Sequence, residues 1–219
     1  MQHKLYTGLE IATVIKAELN SPDAESIRVK DILIDSRRLI SPRYCLFFAL
    51  SSKRNDGHNY IKLLYKKGVR YFVVQAEKDF PSNLRDASFF VVKHTLEALQ
   101  QLAVAHRSLF DFPVIGITGS NGKTIVKEWL FQLLAGDKDI VRSPKSYNSQ
   151  IGVPLSVWQM NEGHNFGIFE AGISEPDEMD KLQPIIQPTL GIFTNIGEAH
   201  GENFISTAQK IGEKLKLFT

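Results

Sequence analysis

GITGSNGKTIVKEWL, residues 116–130, decides how this chain is read. An apolar strand ending, VIGIT, runs into a turn carrying Gly116, Gly119 and Gly122, and Lys123 and Thr124 open a helix directly after it. Glycine tolerates positive φ and lets a ligand approach the backbone. The N–H groups of such a turn and the positive end of the helix favour an anion. Lys123 is then placed for the β/γ-phosphates of a nucleotide and Thr124 for Mg²⁺. The common spacing G-x-x-x-x-G-K-[ST] wants glycine at position 117, where this chain has Ile117. A glycine turn serving only packing would leave the lysine–threonine pair without a reason. The expected phosphate cradle is therefore Gly119, Ser120, Asn121, Gly122, Lys123 and Thr124.

Downstream, strands at 113–118, 139–143, 166–172 and 188–196 alternate with helices at 122–135, about 153–160, 175–186 and 206–217. Such alternation predicts a parallel sheet covered on both faces, with ligands outside the carboxyl ends of its strands. Those ends carry Thr118, Glu170 and Asn195, with His200 just beyond. Glu170 closes the apolar run FGIFE, where a carboxylate is costly unless it faces a cation. A metal ligand is one reading and a solvated strand end the other. Glu175, Asp177, Glu178 and Asp180 suit a helix first turn, so their reading is structural. His200 is open between ligand and ordinary surface or core residue.

Upstream the pattern is mixed α/β. Helices are expected at 7–18, with Thr7 and Glu10 as a capping box, at 57–68 and at about 95–110. Strands are expected at 31–36, 44–50, 69–75 and 88–93. The aromatic–proline break FDFP, residues 110–113, is the expected domain boundary, giving units 1–110 and 111–219.

Composition bounds the function classes. With 43% hydrophobic and 23% charged residues, the chain reads as globular rather than disordered. A net charge of +2 without a basic run argues against a nucleic-acid partner. The single cysteine, Cys45, excludes an internal disulfide framework and sits in an apolar run as a core residue. No run approaches the roughly 18 apolar residues of a membrane helix, and no signal sequence is evident, so a cytoplasmic protein without membrane insertion is expected. No zinc-ligand spacing or G-x-S-x-G elbow is present.

The set GITGSNGKT, YNSQIGVPLSV, EAGISEPDEM, TNIGEAH and EKLKLF, together with DSRRLISPRYCLFFAL and RNDGHNY in the first part, resembles the Mur ligases, the ATP-dependent amide-forming enzymes of peptidoglycan precursor synthesis. The loop form T-G-[ST]-N-G-K-T of that family accommodates Ile117. Within it, EAGIS and NSQIGVPLS look most like the enzyme that adds D-alanyl-D-alanine, with Ser149 standing where a second asparagine is usual.

The resemblance implies a first domain that binds a UDP-sugar and a parallel-sheet, P-loop-type central domain of which residues 111–219 are the first half. It implies amide synthesis from UDP-MurNAc-tripeptide and D-Ala-D-Ala through an acyl phosphate, with ATP and Mg²⁺. Lys123 would hold the β/γ-phosphates, Thr124 and Glu170 one Mg²⁺, and His200 a second. Asn148 would lie near the γ-phosphate or substrate, and Asn195 near the nucleotide. Lys214 matches a lysine that the family carbamylates, whereas Lys210 and Lys216 read as solvated lysines of an amphipathic helix. Ser36, Arg37, Asp56 and His58 fall in the UDP-sugar region. For Arg37 a surface arginine, and for Asp56 and His58 a turn and helix cap, stay open.

Because the family continues through a further domain, residues 1–219 are expected to lack turnover alone and to self-associate through an open sheet edge. Another Mur-type ligase, folylpolyglutamate synthetase and a non-catalytic nucleotide-binding module are the alternatives.

Overall fold

The computed structural model describes residues 4–52, 55–197 and 203–219. The described residues divide into two compact units, one of residues 4–102 and one from Ala103 to Thr219.

The first unit is built on a five-stranded sheet of β2 (Glu18–Asn20), β4 (Asp31–Leu33), β5 (Cys45–Phe48), β6 (Tyr71–Gln75) and β7 (Ser88–Val92), in the order β2-β7-β6-β5-β4. The pairs β4–β5, β5–β6 and β6–β7 are parallel, and β2 runs antiparallel to β7. A short pair, β1 (Tyr6–Thr7) with β3 (Arg28–Val29), lies apart from it. The sheet's apolar residues meet Ile61 and Leu64 of α2 (Ile61–Lys66). Phe72 stacks on Phe89 at 5.5 Å and meets Phe47 edge-on at 6.4 Å. Cys45 is buried among them, and burial pushes its thiol up to about 12.

Helix α1 (Gly8–Val14) begins on the expected capping box: Glu10 N–H donates to Thr7 Oγ1, and Thr7 N–H donates to Glu10 Oε2 at 2.7 Å. It ends earlier than its periodicity suggests, because Lys16 takes φ +52° and the chain turns into β2. The strand expected over 31–36 stops at Leu33, since Asp35 caps a 3-10 turn over Ser36–Arg38.

Helix α3 (Thr95–Arg107) contains the division between units, short of the FDFP break. Its C-terminal residues Ala103 and Val104, with Phe110 and Phe112, already pack into the second unit's core.

That second unit has a fully parallel sheet of β8 (Val114–Thr118), β9 (Ile140–Arg142), β10 (Phe166–Glu170) and β11 (Leu190–Phe193), in the order β11-β8-β10-β9. Strand residues alternate faces. Ile115, Ile117 and Ile168 pack with Val126, Leu130 and Phe131 of α4 (Lys123–Leu134). Val114, Val141 and Phe169 share the other core with α5 (Gly152–Val157), α6 (Glu178–Ile186) and Leu217, which follows α7 (Thr207–Leu215). The buried Arg107 closes the end of α6, donating to the carbonyls of Ile186 at 2.9 Å and Gln187 at 3.0 Å. Among the described residues no helix is long and apolar enough to cross a membrane.

Candidate functional site

The loop of residues 119–122 leaves β8 and enters α4 through two glycines in left-handed backbone conformations, Gly119 at φ +137° and Gly122 at φ +81°. A Cβ on Gly119 would stand 2.0 Å from Thr194 Oγ1, so glycine is required there for space as well as conformation. The neighbouring strand's exit braces the loop. Ser120 N–H donates to Asn195 O at 2.9 Å, and Asn121 N–H donates to Asn195 Oδ1 at 3.0 Å. Thr194 Oγ1 donates to Asn121 O at 2.6 Å, and Gly197 N–H donates to Ser120 Oγ at 3.0 Å. Both polar ends of Asn195 that face the loop are thus engaged in shaping it.

Gly122 caps α4 without a side chain, so no side-chain acceptor closes the helix's first turn. The first N–H groups of a helix have no intrahelical partner and carry its positive dipole end, which suits an anion. Lys123 curls over the same turn, its Nζ donating to Gly119 O at 2.7 Å and Ser120 O at 3.2 Å. Burial holds its ammonium below the ordinary lysine value, against the opposing pull of Glu170.

Glu170 is fully buried. The pleat of β10 puts it on the same face as Ile168, toward α4. There Thr124 Oγ1 donates to its Oε2 at 3.1 Å, and Asn148 Nδ2 donates to the same oxygen at 3.4 Å. Ser146 Oγ lies 3.3 Å from Thr124 Oγ1. Oε1 accepts no hydrogen bond, although Lys127 Nζ faces it at 3.0 Å as an ion-pair partner. The solvated reading of Glu170 is therefore excluded.

These hard oxygen donors fit Mg²⁺. An octahedral ion with bonds of about 2.1 Å sets adjacent ligand atoms about 3 Å apart. The 3.1 Å between Thr124 Oγ1 and Glu170 Oε2 matches that separation.

Helix α7 brings two more lysines to the loop. Lys214 Nζ donates to Gly119 O at 3.3 Å, and Lys210 Nζ donates to Gly197 O at 2.5 Å. Both are buried, which corrects the expectation of a solvated Lys210. Lys216, just after the helix, is a surface group, paired with Asp180 at 2.8 Å and Glu213 at 2.9 Å. Burial first, then the charges of Lys123 and Lys210, bring Lys214 down to about 8. His200 lies outside the described residues. Glu178, one of the four acidic residues read as structural, accepts from the N–H groups of Ser174 and Glu175 ahead of α6.

Ser149 Oγ accepts the Gly152 N–H at the start of α5. The sequence reading missed Lys127, Ser143 and Ser146. Lys127 stands one helical turn after Lys123, a spacing that places both on one side of α4 and was open to notice.

In the first unit the UDP-sugar candidates follow the carboxyl ends of β4 and β5. Ser36 is buried in its turn, while the Arg37 side chain is 87% exposed and paired with Asp35 through Nε at 2.9 Å and Nη2 at 2.8 Å. Those hydrogen bonds hold the Asp35 carboxyl down to about 2. Asp56 caps the 3-10 turn Gly57–Tyr60, and its Oδ1 lies 2.6 Å from His58 Nδ1. Gln75 N–H donates to His58 Nε2, so that nitrogen is an acceptor and Nδ1 carries the proton. Burial opposes ionisation of Asp56, but bonds from His58, Ser51 and Lys78 outweigh it and keep the carboxyl below its ordinary value. Both ring nitrogens of the buried His58 are occupied within the fold, which makes it a support for Asp56.

Comparison with known proteins finds relatives along nearly the whole chain. Residues 117–219 match the Mur ligase middle domain. The chain is 32% identical over 211 residues to the UDP-N-acetylmuramoyl-tripeptide–D-alanyl-D-alanine ligase of Bacillus subtilis (strain 168), covering 96% of this chain and 45% of that protein. Its fold resembles MurF from Acinetobacter baumannii, with a TM-score of 0.88 and 25% identity, over 99% of this chain and 47% of that one. MurF ligase from Thermotoga maritima, solved in complex with ADP, gives a TM-score of 0.75 and 28% identity over 86% of this chain and 43% of that one. The chain thus spans about half the length of the relatives it matches. With its loop, its parallel sheet and its first unit all shared with these enzymes, the chain belongs to the Mur ligase family.

Proposed function

We propose that this chain supplies the nucleotide-phosphate site and the UDP-sugar site of an ATP-dependent ligase that joins D-Ala-D-Ala to UDP-MurNAc-tripeptide. Residues 111–219 would be the first half of the central ATP-binding domain, and residues 1–110 the UDP-sugar domain. The observation that carries this reading is the meeting of the phosphate loop with Thr124 and Glu170, 3.1 Å apart at the ends of two parallel strands.

In this reaction the γ-phosphoryl group of ATP passes to the peptide carboxylate, giving an acyl phosphate and ADP. The amine of D-Ala-D-Ala then attacks the acyl carbon and expels inorganic phosphate. Such chemistry needs positioning and charge neutralisation more than covalent help from the protein. The open N–H groups at the start of α4 receive phosphate oxygens. Lys123 leaves the carbonyls of Gly119 and Ser120 for the β/γ-phosphates. Thr124 and Glu170 hold Mg²⁺, which neutralises phosphate charge when bound. Asn148 orients Glu170 and lies close to the transferred group, and His200 serves a second ion.

Lys214 would carry a carbamate in the working enzyme, formed when its neutral amine adds CO₂ and releases a proton. Its lowered pKa supports that step by making the neutral amine available near pH 8. Arg37 pairs with the pyrophosphate of the UDP-sugar, exchanging Asp35 for an anion of the same fork geometry.

The test is thermal stabilisation of the chain by ATP·Mg²⁺ and, separately, by the UDP-MurNAc-tripeptide, since a ligand that binds only the folded state raises its melting temperature. Both are expected to stabilise the wild type, and Lys123→Met is expected to abolish only the ATP response. No response to either ligand at millimolar concentration overturns the reading.

A further inference from the structure

Lys127 is among the largest fully buried side chains of the molecule, and no step above uses it. Its ammonium joins three elements. It donates to Ser143 O at 2.7 Å and to Lys145 O, both in the segment after β9, and pairs with Glu128 Oε1 on its own helix at 3.1 Å. Two donors are thereby spent on carbonyls, and Glu128 is held as an ion pair. Glu170 Oε1, 3.0 Å away on β10, is held by charge without a hydrogen bond. Glu128 in turn accepts from Arg142 at 3.0 Å, so the charges run from the surface inward to Glu170.

A buried ion pair is seldom the most stable filling of such a space, and apolar side chains of like volume often do as well or better. Its presence against Glu170, the partner of Thr124, therefore asks for another reason. The carbonyls that Lys127 ties down belong to the segment that delivers Ser146 beside Thr124 and Asn148 beside Glu170. Glu170 N–H also donates to the buried Ser143 Oγ, fixing the backbone from which the carboxylate projects. With Oε1 directed at Lys127, Oε2 is the oxygen presented to Thr124.

We infer that Lys127 is a positioning residue for the divalent-cation site: it fixes the Glu170 carboxylate so that Oε2 alone faces Thr124, and it anchors the segment carrying Ser146 and Asn148. This rests on the nucleotide–Mg²⁺ reading given above. Lys123 and Lys127 then divide the labour of one helix face, the outer lysine serving phosphate and the inner one serving the ligand of the metal. Loss of a residue that orients a metal ligand typically weakens the metal rather than the remaining contacts.

The experiment measures ADP binding to the chain by titration calorimetry, once with Mg²⁺ and once with EDTA. The ratio of the two affinities is the readout. Wild type is expected to bind ADP at least about tenfold tighter with Mg²⁺, and Lys127→Met is expected to lose about tenfold of that enhancement while its Mg²⁺-free affinity stays within about threefold. If Lys127→Met lacks a cooperative unfolding transition, Lys127→Gln, which keeps a neutral donor, is held to the same criterion. An unchanged ratio overturns the inference. So does a parallel loss in both conditions, which is what a residue that only supports the fold would give. A wild type that binds ADP equally with and without Mg²⁺ overturns the nucleotide–Mg²⁺ reading, and the inference with it.

Discussion

The two units place their charges in opposite ways. In the first unit the core is aromatic and aliphatic, and the candidate site residues with charge stand at its surface in closed local pairs, Arg37 with Asp35 and Lys78 with Asp56. In the second unit charge goes inside: Glu170, Lys127, Lys210 and Lys214 are all buried around one loop. The first arrangement separates stability from recognition, because its polar groups are exchanged without opening the core. The second couples them, because each charge is both a packing element and a candidate ligand.

Glu170→Ala tests that coupling most severely. It removes the fully buried carboxylate that faces Lys127 and leaves only the partly exposed Glu128 as its ion-pair partner, and breaking a buried pair in this way costs about 3 kcal/mol. Urea unfolding should show that loss together with a loss of Mg²⁺-dependent nucleotide binding. Asp56→Ala, made in the first unit for comparison, should shift the midpoint less, since the Asp56 side chain is 30% exposed and water replaces its contacts. Equal shifts would dissolve the contrast between the units.

Gly119→Ala should come next. At φ +137°, with Thr194 Oγ1 only 2.0 Å from the added carbon, the strain is about 1–3 kcal/mol. Thr194 has little freedom to retreat, because its hydroxyl is bonded to Asn121 O. Phosphate affinity should fall with stability, as expected where one backbone serves both.

Lys214 makes the coupling visible as a pH effect. Its pKa is lowered in the folded chain from 10.5 to about 8. Between those values the unfolded chain binds a proton that the folded chain does not, so this group's contribution to stability rises with pH across the window. Below pH 8 both states are protonated and the contribution is flat. Cys45, pushed up to about 12 from 9.0, acts in the opposite sense above pH 9, so the comparison must be with Lys214→Met. The wild type should gain stability relative to that variant from pH 8 to 10 in chemical denaturation. A difference that is level with pH would mean that Lys214 is not depressed. Carbon-13 bicarbonate should give a carbamate signal in the wild type that the variant lacks.

The same division explains what was legible in the sequence. The α/β alternation, the loop and the ends of VIGIT and FGIFE could be read because turn chemistry and burial on both faces are local signals. The two-residue strands β1 and β3 could not, since the pairing of Tyr6 with Val29 depends on residues far apart in the chain. The buried lysines were hidden for a related reason. A lysine on an amphipathic helix reads as solvated, and only the fold brings Glu170 to Lys127 or Gly197 to Lys210. His58 was visible as a polar residue in a promising turn, but its bond from Gln75 N–H, which makes it a support, comes from another strand.

Arg37→Ala is the gentlest test and the most selective. The side chain is 87% exposed, and its one strong partner, Asp35, keeps its other role as cap of the Ser36–Arg38 turn through the backbone N–H of residue 37. The substitution should therefore leave the melting temperature of the free chain where it was. What it removes is a guanidinium fork already set in bidentate geometry on a carboxylate, which is the geometry a pyrophosphate would use. Stabilisation by the UDP-sugar ligand should shrink, with affinity down about tenfold for one lost charge-assisted contact. Stabilisation by ATP·Mg²⁺ should not change. Arg37→Lys should recover little of the loss, since a point charge does not reproduce the fork. If the alanine variant binds the UDP-sugar as well as wild type does, Arg37 is a surface arginine whose only partner of consequence is Asp35. The first unit's recognition would then have to come from groups that its core also depends on, and the contrast between the two units would be much smaller.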